Sequence, residues 1–360
     1  MAELLKNMFF KKDFFEKLAE KIVKEYPEFD KKKFLKLIFN SEWDSKELKQ
    51  RMRHASNVLH RVLPSGYRNS LNVLVKASKG FKGFDAMVFS DYVEVYGLDD
   101  PEASVPALEL FTQLCSSEFA VRPFIIKYPD LMIKQMKKWA KSKNPHVRRL
   151  ASEGCRPRLP WAMALPELKK DPSPIIPIIE ALIEDKEEFV RRSVSNNLND
   201  IAKDNPNITL GFAKKWFGKN PEVDAVIKHA LRTQLKGGDP AALALFGYKN
   251  KTNVSVKEFK LSPQKVPIGS KLQFSFVLVN KGKSPVKLRV EYAVYYLKLK
   301  GKYSRKVFKI TEDTFKEKNI SIKRSRSFTD MTIRKHNPGK HKISIIINGI
   351  ELAEKEFVVK

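Results

Sequence analysis

Apolar positions along the chain follow two different periods. Up to about residue 248 they recur at helical spacing. Asp13–Val23, Phe34–Phe39, Leu48–Leu63 and Ser70–Lys76 each set apolar side chains on one face, and clusters of Pro, Gly and Asn separate these runs. In the segment 144–161, Val147, Leu150, Ala151 and Gly154 fall at i, i+3, i+4 and i+7, one buried helical face. Pro157 and Pro160 stop that helix, and Trp161 lies just beyond. From about Thr252 the period shortens to two. Leu272–Val279, Leu288–Tyr292, Val307–Ile310, Ile320–Arg324, Ile343–Ile347 and Glu356–Val359 read as strands. Asn280-Lys281-Gly282, Asn337-Pro338-Gly339 and Asn348-Gly349 supply turns, and Asn-Gly is a hairpin signal.

The helical part carries a degenerate repeat. Phe119-Ala120-Val121-Arg122, Pro145-His146-Val147-Arg148-Arg149, Glu188-Phe189-Val190-Arg191-Arg192 and Pro221-Glu222-Val223 open four similar helices, with successive valines 26, 43 and 33 residues apart. Upstream of two of them, Lys137-Lys138-Trp139 echoes Lys214-Lys215-Trp216, so both tryptophans read as packing residues. Irregular two-helix units of this length predict a HEAT-like solenoid over residues 1–248, stacked with a concave face. Six or seven short strands in the remainder predict an immunoglobulin-like sandwich over 252–360, without the Cys…Trp…Cys set of antibody domains.

Charge narrows the function. The net charge is +28, which points to a polyanion. It is unevenly placed. Residues 251–360 hold 26 Lys and Arg against 9 Asp and Glu, a net +17, whereas the longer helical part has a net of only +11. Folding does not require so basic a sandwich, so it is expected to clamp a nucleic acid, closing on a duplex from the side opposite the helices. No apolar run of about 18 residues exists, so no membrane span is expected. The N-terminus lacks a signal peptide's cleavage site, and two cysteines, Cys115 and Cys155, suit a reducing compartment. A cytoplasmic, nucleoid-associated monomer is expected. Without zinc spacing, a Gly-rich phosphate loop or a nucleophile elbow, neither metal nor cofactor is expected.

The candidate chemistry sits at 149–161. Arg149, Glu153 and Arg156 fall at i, i+4 and i+7 and share one helical stripe. Glu153 reads either as an ion-pair partner of the two arginines or as an acid held where a phosphate backbone runs. Glu118 follows Ser116-Ser117 at a helix start, where an acid also serves the helix dipole. Trp161 reads alone as a core residue. Asn196, Asn197 and Asp200 are DNA contacts or bonds within the array, with Asn197 the candidate contact. Lys323, Arg324 and Arg326 form either a solvated strand face or phosphate contacts. The cysteine thiols are expected to be buried and inert. Two non-enzymatic classes compete: a HEAT-repeat protein that binds damaged or branched DNA, and a protein-binding scaffold. The charge argues against the scaffold.

Several long strings decide between these classes. Leu48-Lys49-Gln50-Arg51-Met52-Arg53-His54, Ser117-Glu118-Phe119-Ala120-Val121-Arg122-Pro123-Phe124, Arg148 to Trp161, and Ser193 to Pro206 resemble the AlkC family of alkylpurine DNA glycosylases, within the superfamily that also holds AlkD. One branch of that family carries a C-terminal immunoglobulin-like domain. The resemblance implies excision of cationic methylated bases, 3-methylcytosine and 3-methyladenine, from double-stranded DNA. It implies catalytic carboxylates at Glu118 and Glu153, DNA contacts at Arg149 and Arg156, and a lesion contact at Trp161; Arg148 beside them is a further candidate for DNA contact. The chemistry fits those residue types. A cationic base is already a good leaving group, so carboxylates need only stabilise the oxocarbenium-like sugar and guide a water.

Overall fold

Residues 6–249, 252–330 and 335–360 are described by the computed structural model. They divide into two compact units, Met1–Ala230 and Leu231–Lys360.

In the first unit every described element is helical. An N-terminal group comprises α1 (Lys12–Glu25), α2 (Lys31–Ile38), α3 (Leu48–Val62), α4 (Tyr67–Ala77), α5 (Met87–Tyr96) and α6 (Pro101–Phe111). The repeat region follows with α7 (Val121–Lys127), α8 (Pro129–Trp139), α9 (Pro145–Glu153), α10 (Pro166–Lys170), α11 (Ile176–Leu182), α12 (Glu188–Asp204), α13 (Pro206–Trp216) and α14 (Pro221–Ala230). Each repeated motif opens a helix, and α9, α12 and α14 pack side by side. The start signals work as their chemistry demands: Asn144 accepts from His146 N at 2.9 Å and Asn220 from Val223 N at 2.9 Å, each followed by a proline at the first helical position. Trp139 and Trp216 close equivalent helices and are buried, as the repeat predicts. No described helix is long and apolar enough to cross a membrane.

Gly154 caps α9 because nothing larger fits. A Cβ there would lie 2.7 Å from Val121 Cγ2 and 2.9 Å from Leu150 O. The backbone of α9 therefore approaches α7 closely, just where Glu153 must be placed.

The second unit holds α15 (Arg232–Gly237), α16 (Pro240–Leu245) and two sheets. One sheet has the order β1 (Val254–Ser262), β3 (Lys271–Asn280), β6 (Asn319–Ser327). The other runs β2 (Lys265–Val266), β8 (Ile350–Val359), β7 (Gly339–Ile347), β4 (Val286–Leu297), β5 (Tyr303–Phe315). All pairings are antiparallel except β2 with β8. Phe274, Phe276, Val290, Tyr292, Ile343, Ile345 and Phe357 fill the core between the sheets. Asn348 and Gly349 turn the β7–β8 hairpin with φ of 48° and 84°, the geometry an Asn-Gly turn supplies.

The helical pattern does reach Leu245, but the compact units part earlier, between Ala230 and Leu231. The reason is local. The backbone of Gly238 lies against that of Gly349, so close that a Cβ on Gly349 would meet Gly238 Cα at 2.8 Å and Leu243 Cδ1 at 2.8 Å. Asn348 also donates to Lys249 O at 2.9 Å. The last two helices thus pack on the hairpin of the sandwich.

Candidate active site

Helices α9 and α12 bring a continuous ladder of charge together. Glu153, the last residue of α9, is only 5% exposed. Its Oε1 accepts from Arg156 Nη1 at 2.6 Å and lies 3.7 Å from Arg149 Nη2. Its Oε2 accepts from Ser193 Oγ on α12 at 2.6 Å. Arg149 reaches the other way and donates to Glu118 Oε2 at 2.9 Å and to Ser116 Oγ at 3.0 Å. Arg156 continues to Asp200 Oδ2 on α12 at 2.8 Å, and Lys203 closes the ladder on Asp200 Oδ1 at 2.8 Å. Burial opposes the charge of Arg156, but Glu153 and Asp200 outweigh it and hold the guanidinium above its ordinary pKa. The helical stripe Arg149–Glu153–Arg156 therefore does form one contiguous cluster.

Glu118 is half-buried in the turn before α7 and is not a helix cap; Ala120 holds the capping position. Ser116 and Arg149 both donate to its Oε2. Among the described residues Oε1 accepts nothing, and it is not one of the buried unpartnered atoms. Glu118 thus presents an open oxygen, whereas both oxygens of Glu153 are engaged. A hollow of about 320 Å³ lined by Cys115, Ser116, His146, Arg149 and Phe189 adjoins this end of the ladder. A larger apolar cavity of about 660 Å³, between α8 and the 165–174 segment, is lined by no ladder residue.

Trp161 is not a core residue. It is 63% exposed and adopts the left-handed region at φ 64°, which a residue with a Cβ rarely occupies. The loop that carries it is anchored from below by Arg122, which is fully buried. Arg122 Nη1 donates to Gly154 O at 3.0 Å and Nε to Met163 O at 2.7 Å. Burial pushes the Arg122 pKa down to about 10.

Four candidate contact residues are bonded or packed within the protein. Arg148 is bonded within the unit: it forks onto Asp185 at 2.5 and 3.0 Å, donates to the carbonyls of Ser142 and Lys143, and is nearly buried. Adjacent helical residues point about 100° apart, so Arg148 and Arg149 cannot share a role. Asn197 is fully buried and donates to Ser152 O at 2.8 Å, which ties α12 to α9 and leaves it unable to reach a ligand. Arg156 is 7% exposed and enclosed by two carboxylates, Glu153 and Asp200. In the sandwich, Lys323 and Arg324 are exposed, but Arg326 lies 4.0 Å from the Phe308 ring centroid and donates to Tyr296 Oη at 3.0 Å. Its guanidinium is absorbed by packing. Burial raises the Cys155 thiol to about 12 and that of Cys115 to about 11, which fits inert thiols. The residue the sequence signals least is Asp200. Its spacing of i+7 from Ser193 was the available sign, since both contact the ladder from one face of α12.

A helical-repeat unit with paired carboxylates and arginines on one face, joined to a basic immunoglobulin-like sandwich, defines a class of DNA-repair protein. Comparison with known proteins agrees. The family described as "DNA alkylation repair enzyme" matches residues 115–233, and that described as "Uncharacterised protein YhaZ, C-terminal Ig-like domain" matches residues 255–360. The uncharacterized protein YhaZ of Bacillus subtilis (strain 168) is 44% identical over 350 residues, 97% of each chain. The fold superposes on Pseudomonas fluorescens alkylpurine DNA glycosylase AlkC, solved bound to DNA containing an abasic site analog, with a TM-score of 0.94, 36% identity and 99% of both chains covered. The chain belongs to the AlkC family of alkylpurine DNA glycosylases, in the branch with a C-terminal immunoglobulin-like domain.

Proposed function

We propose that this protein hydrolyses the N-glycosidic bond of cationic alkylated bases, 3-methyladenine and 3-methylcytosine, in duplex DNA. The observation that carries the reading is the ladder from Glu118 to Asp200, in which two arginines of the α9 segment space three carboxylates, on the turn before α7, on α9 and on α12.

A base methylated at a ring nitrogen leaves as a neutral molecule once its bond to C1′ breaks. The barrier lies in the positive charge that develops on the sugar. Glu118, with its open oxygen, stands against that charge or takes a proton from the attacking water. Glu153 is the fixed charge behind it, held in place by Arg156 and Ser193. The arginines lie between the two carboxylates and offset their mutual repulsion. Arg149, partly exposed, takes a flanking phosphate. The exposed indole of Trp161 meets the cationic base or its sugar, since an aromatic face attracts a cation. Lys323 and Arg324 of the sandwich bind phosphates of the same duplex.

The test is base release from duplexes that each carry one defined lesion. Release of 3-methyladenine and 3-methylcytosine, with O6-methylguanine, which is uncharged, left in place, is the expected result. Equal release of charged and uncharged lesions would refute the leaving-group argument.

A further inference from the structure

The Trp161 loop is held at its tip by a residue that the ladder does not use. Its base is secured by Arg122 on Gly154 O and Met163 O, by Leu165 N on Pro157 O at 3.1 Å, and by the buried side chains of Leu159 and Leu165. The tip is different. Among the described residues, the single hydrogen bond in which Trp161 takes part is donated by Lys49 Nζ of α3 to its backbone carbonyl, at 2.7 Å. The same ammonium lies 4.6 Å from the centroid of the Phe119 ring, one residue after Glu118. Lys49 is exposed, and it comes from a helix 112 residues away in sequence. It therefore links the N-terminal helices, the turn that carries Glu118 and the loop that carries Trp161.

We propose that Lys49 is a positioning residue: by holding the Trp161 carbonyl close to Phe119 it keeps the left-handed backbone that sets the indole out into solvent. This rests on the reading that Trp161 meets the lesion. An aromatic residue with positive φ does not stay there unless its surroundings impose it. The anchors below fix residues 154–159 and 163–165, and Ala162 N donates to Leu159 O at 3.3 Å across the turn, but none of these bonds is made by residue 161 itself. Lys49 supplies that bond, and the face of Phe119 supplies a second attraction for its ammonium. Loss of the ammonium leaves the loop attached but lets its tip turn over.

The chain has four tryptophans, and Trp43, Trp139 and Trp216 are 7%, 1% and 9% exposed, so emission that acrylamide quenches readily belongs to Trp161. Lys49→Met keeps the aliphatic stem and removes the donor. It is expected to change the quenching constant while the melting temperature stays within a few degrees. It should slow single-turnover release of 3-methyladenine by about five- to twentyfold, the scale of one charge-assisted hydrogen bond. Lys49→Arg keeps a donor and should return the rate to within about twofold. In a Trp161→Ala background Lys49→Met should cost nothing further, because its effect passes through the indole.

Unchanged quenching in Lys49→Met would overturn the proposal. So would additive losses in the double variant, together with a fall of about 0.9 in the salt slope of DNA affinity, which would make Lys49 a phosphate contact. A Trp161→Ala variant with wild-type release would overturn the role given to Trp161 but not the hold of Lys49 on the loop, which the quenching reads separately.

Discussion

Glu153→Gln separates catalysis from structure because the ladder is redundant for stability and not for charge. The side chain of Glu153 is 6% exposed, and stranding a buried charge ordinarily costs about 3–5 kcal/mol. Here neither arginine is stranded. Arg156 keeps Asp200 at 2.8 Å, and Arg149 keeps Glu118 at 2.9 Å. Glutamine also retains an acceptor for Arg156. The loss is then confined to the charge-assisted part of two hydrogen bonds, about 1–2 kcal/mol. For a unit of this size that is roughly 2–8 °C in melting temperature. The effect on the reaction is larger. Removing one electrostatic contact aimed at developing charge costs about 2.7–4 kcal/mol, or about 10²–10³ in rate. The assay is single-turnover base release at saturating enzyme, with thermal melting of the same preparation. The reasoning fails if release stays within twofold of wild type, or if the rate falls only as far as the folded fraction does.

Other consequences follow from the same contacts. Arg148→Met leaves Asp185 buried without its fork and should cost about 3–5 kcal/mol in urea unfolding, with base release per folded molecule unchanged. Burial raises the pKa of Asp185, but Arg148 outweighs it and holds the carboxyl below its ordinary 3.8, so the folded form binds the proton less readily than the unfolded chain. The stabilisation is therefore complete above that pH and fades as the pH falls through the lowered pKa; a wild-type-to-variant gap that widened on acidification would contradict this. Lys323→Ala with Arg324→Ala should lower the salt slope of DNA affinity by up to about 1.8, for two phosphates, whereas Arg326→Ala should lower stability and leave the slope in place. Base release should survive treatment with a thiol alkylating reagent at neutral pH, since both thiols titrate far above it; rapid loss of activity would place Cys115 in the reaction.

Local spacing carried the fold. Periods of 3.6 and 2 follow from backbone geometry, and they marked the helices, the strands and the Asn348-Gly349 hairpin without any partner being known. It also carried Arg149, Glu153 and Arg156, which lie on one helix. What spacing does not carry is contact between repeats. Ser193 and Asp200 meet Glu153 and Arg156 across 40 and 44 residues, so spacing could mark Asp200 as a candidate but not name its partner. Arg148 and Asn197 illustrate the converse. Both are polar residues beside the ladder, and only the packing of α9 on α12 and against Asp185 shows the hydrogen bonds they make within the unit. Trp161 taken alone reads as core because hydrophobicity says inside, and only the family resemblance put it at the site; a proline-bounded loop with positive φ holds it out. The helical period runs on to Leu245, while the compact units part at Ala230, because α15 and α16 are helical in sequence but packed by Gly238 and Gly349 onto the sandwich.

The central claim is that Glu118 and Glu153 perform glycosidic hydrolysis on an alkylated duplex. Its most direct test is free-base release from a 3-methyladenine duplex by the wild type and by Glu118→Gln with Glu153→Gln, with DNA affinity measured alongside. The account predicts release by the wild type well above the spontaneous rate, and release by the double variant close to that rate while it still binds the duplex. Wild-type protein that binds without releasing base, or a double variant that releases it as fast as wild type, would contradict the account.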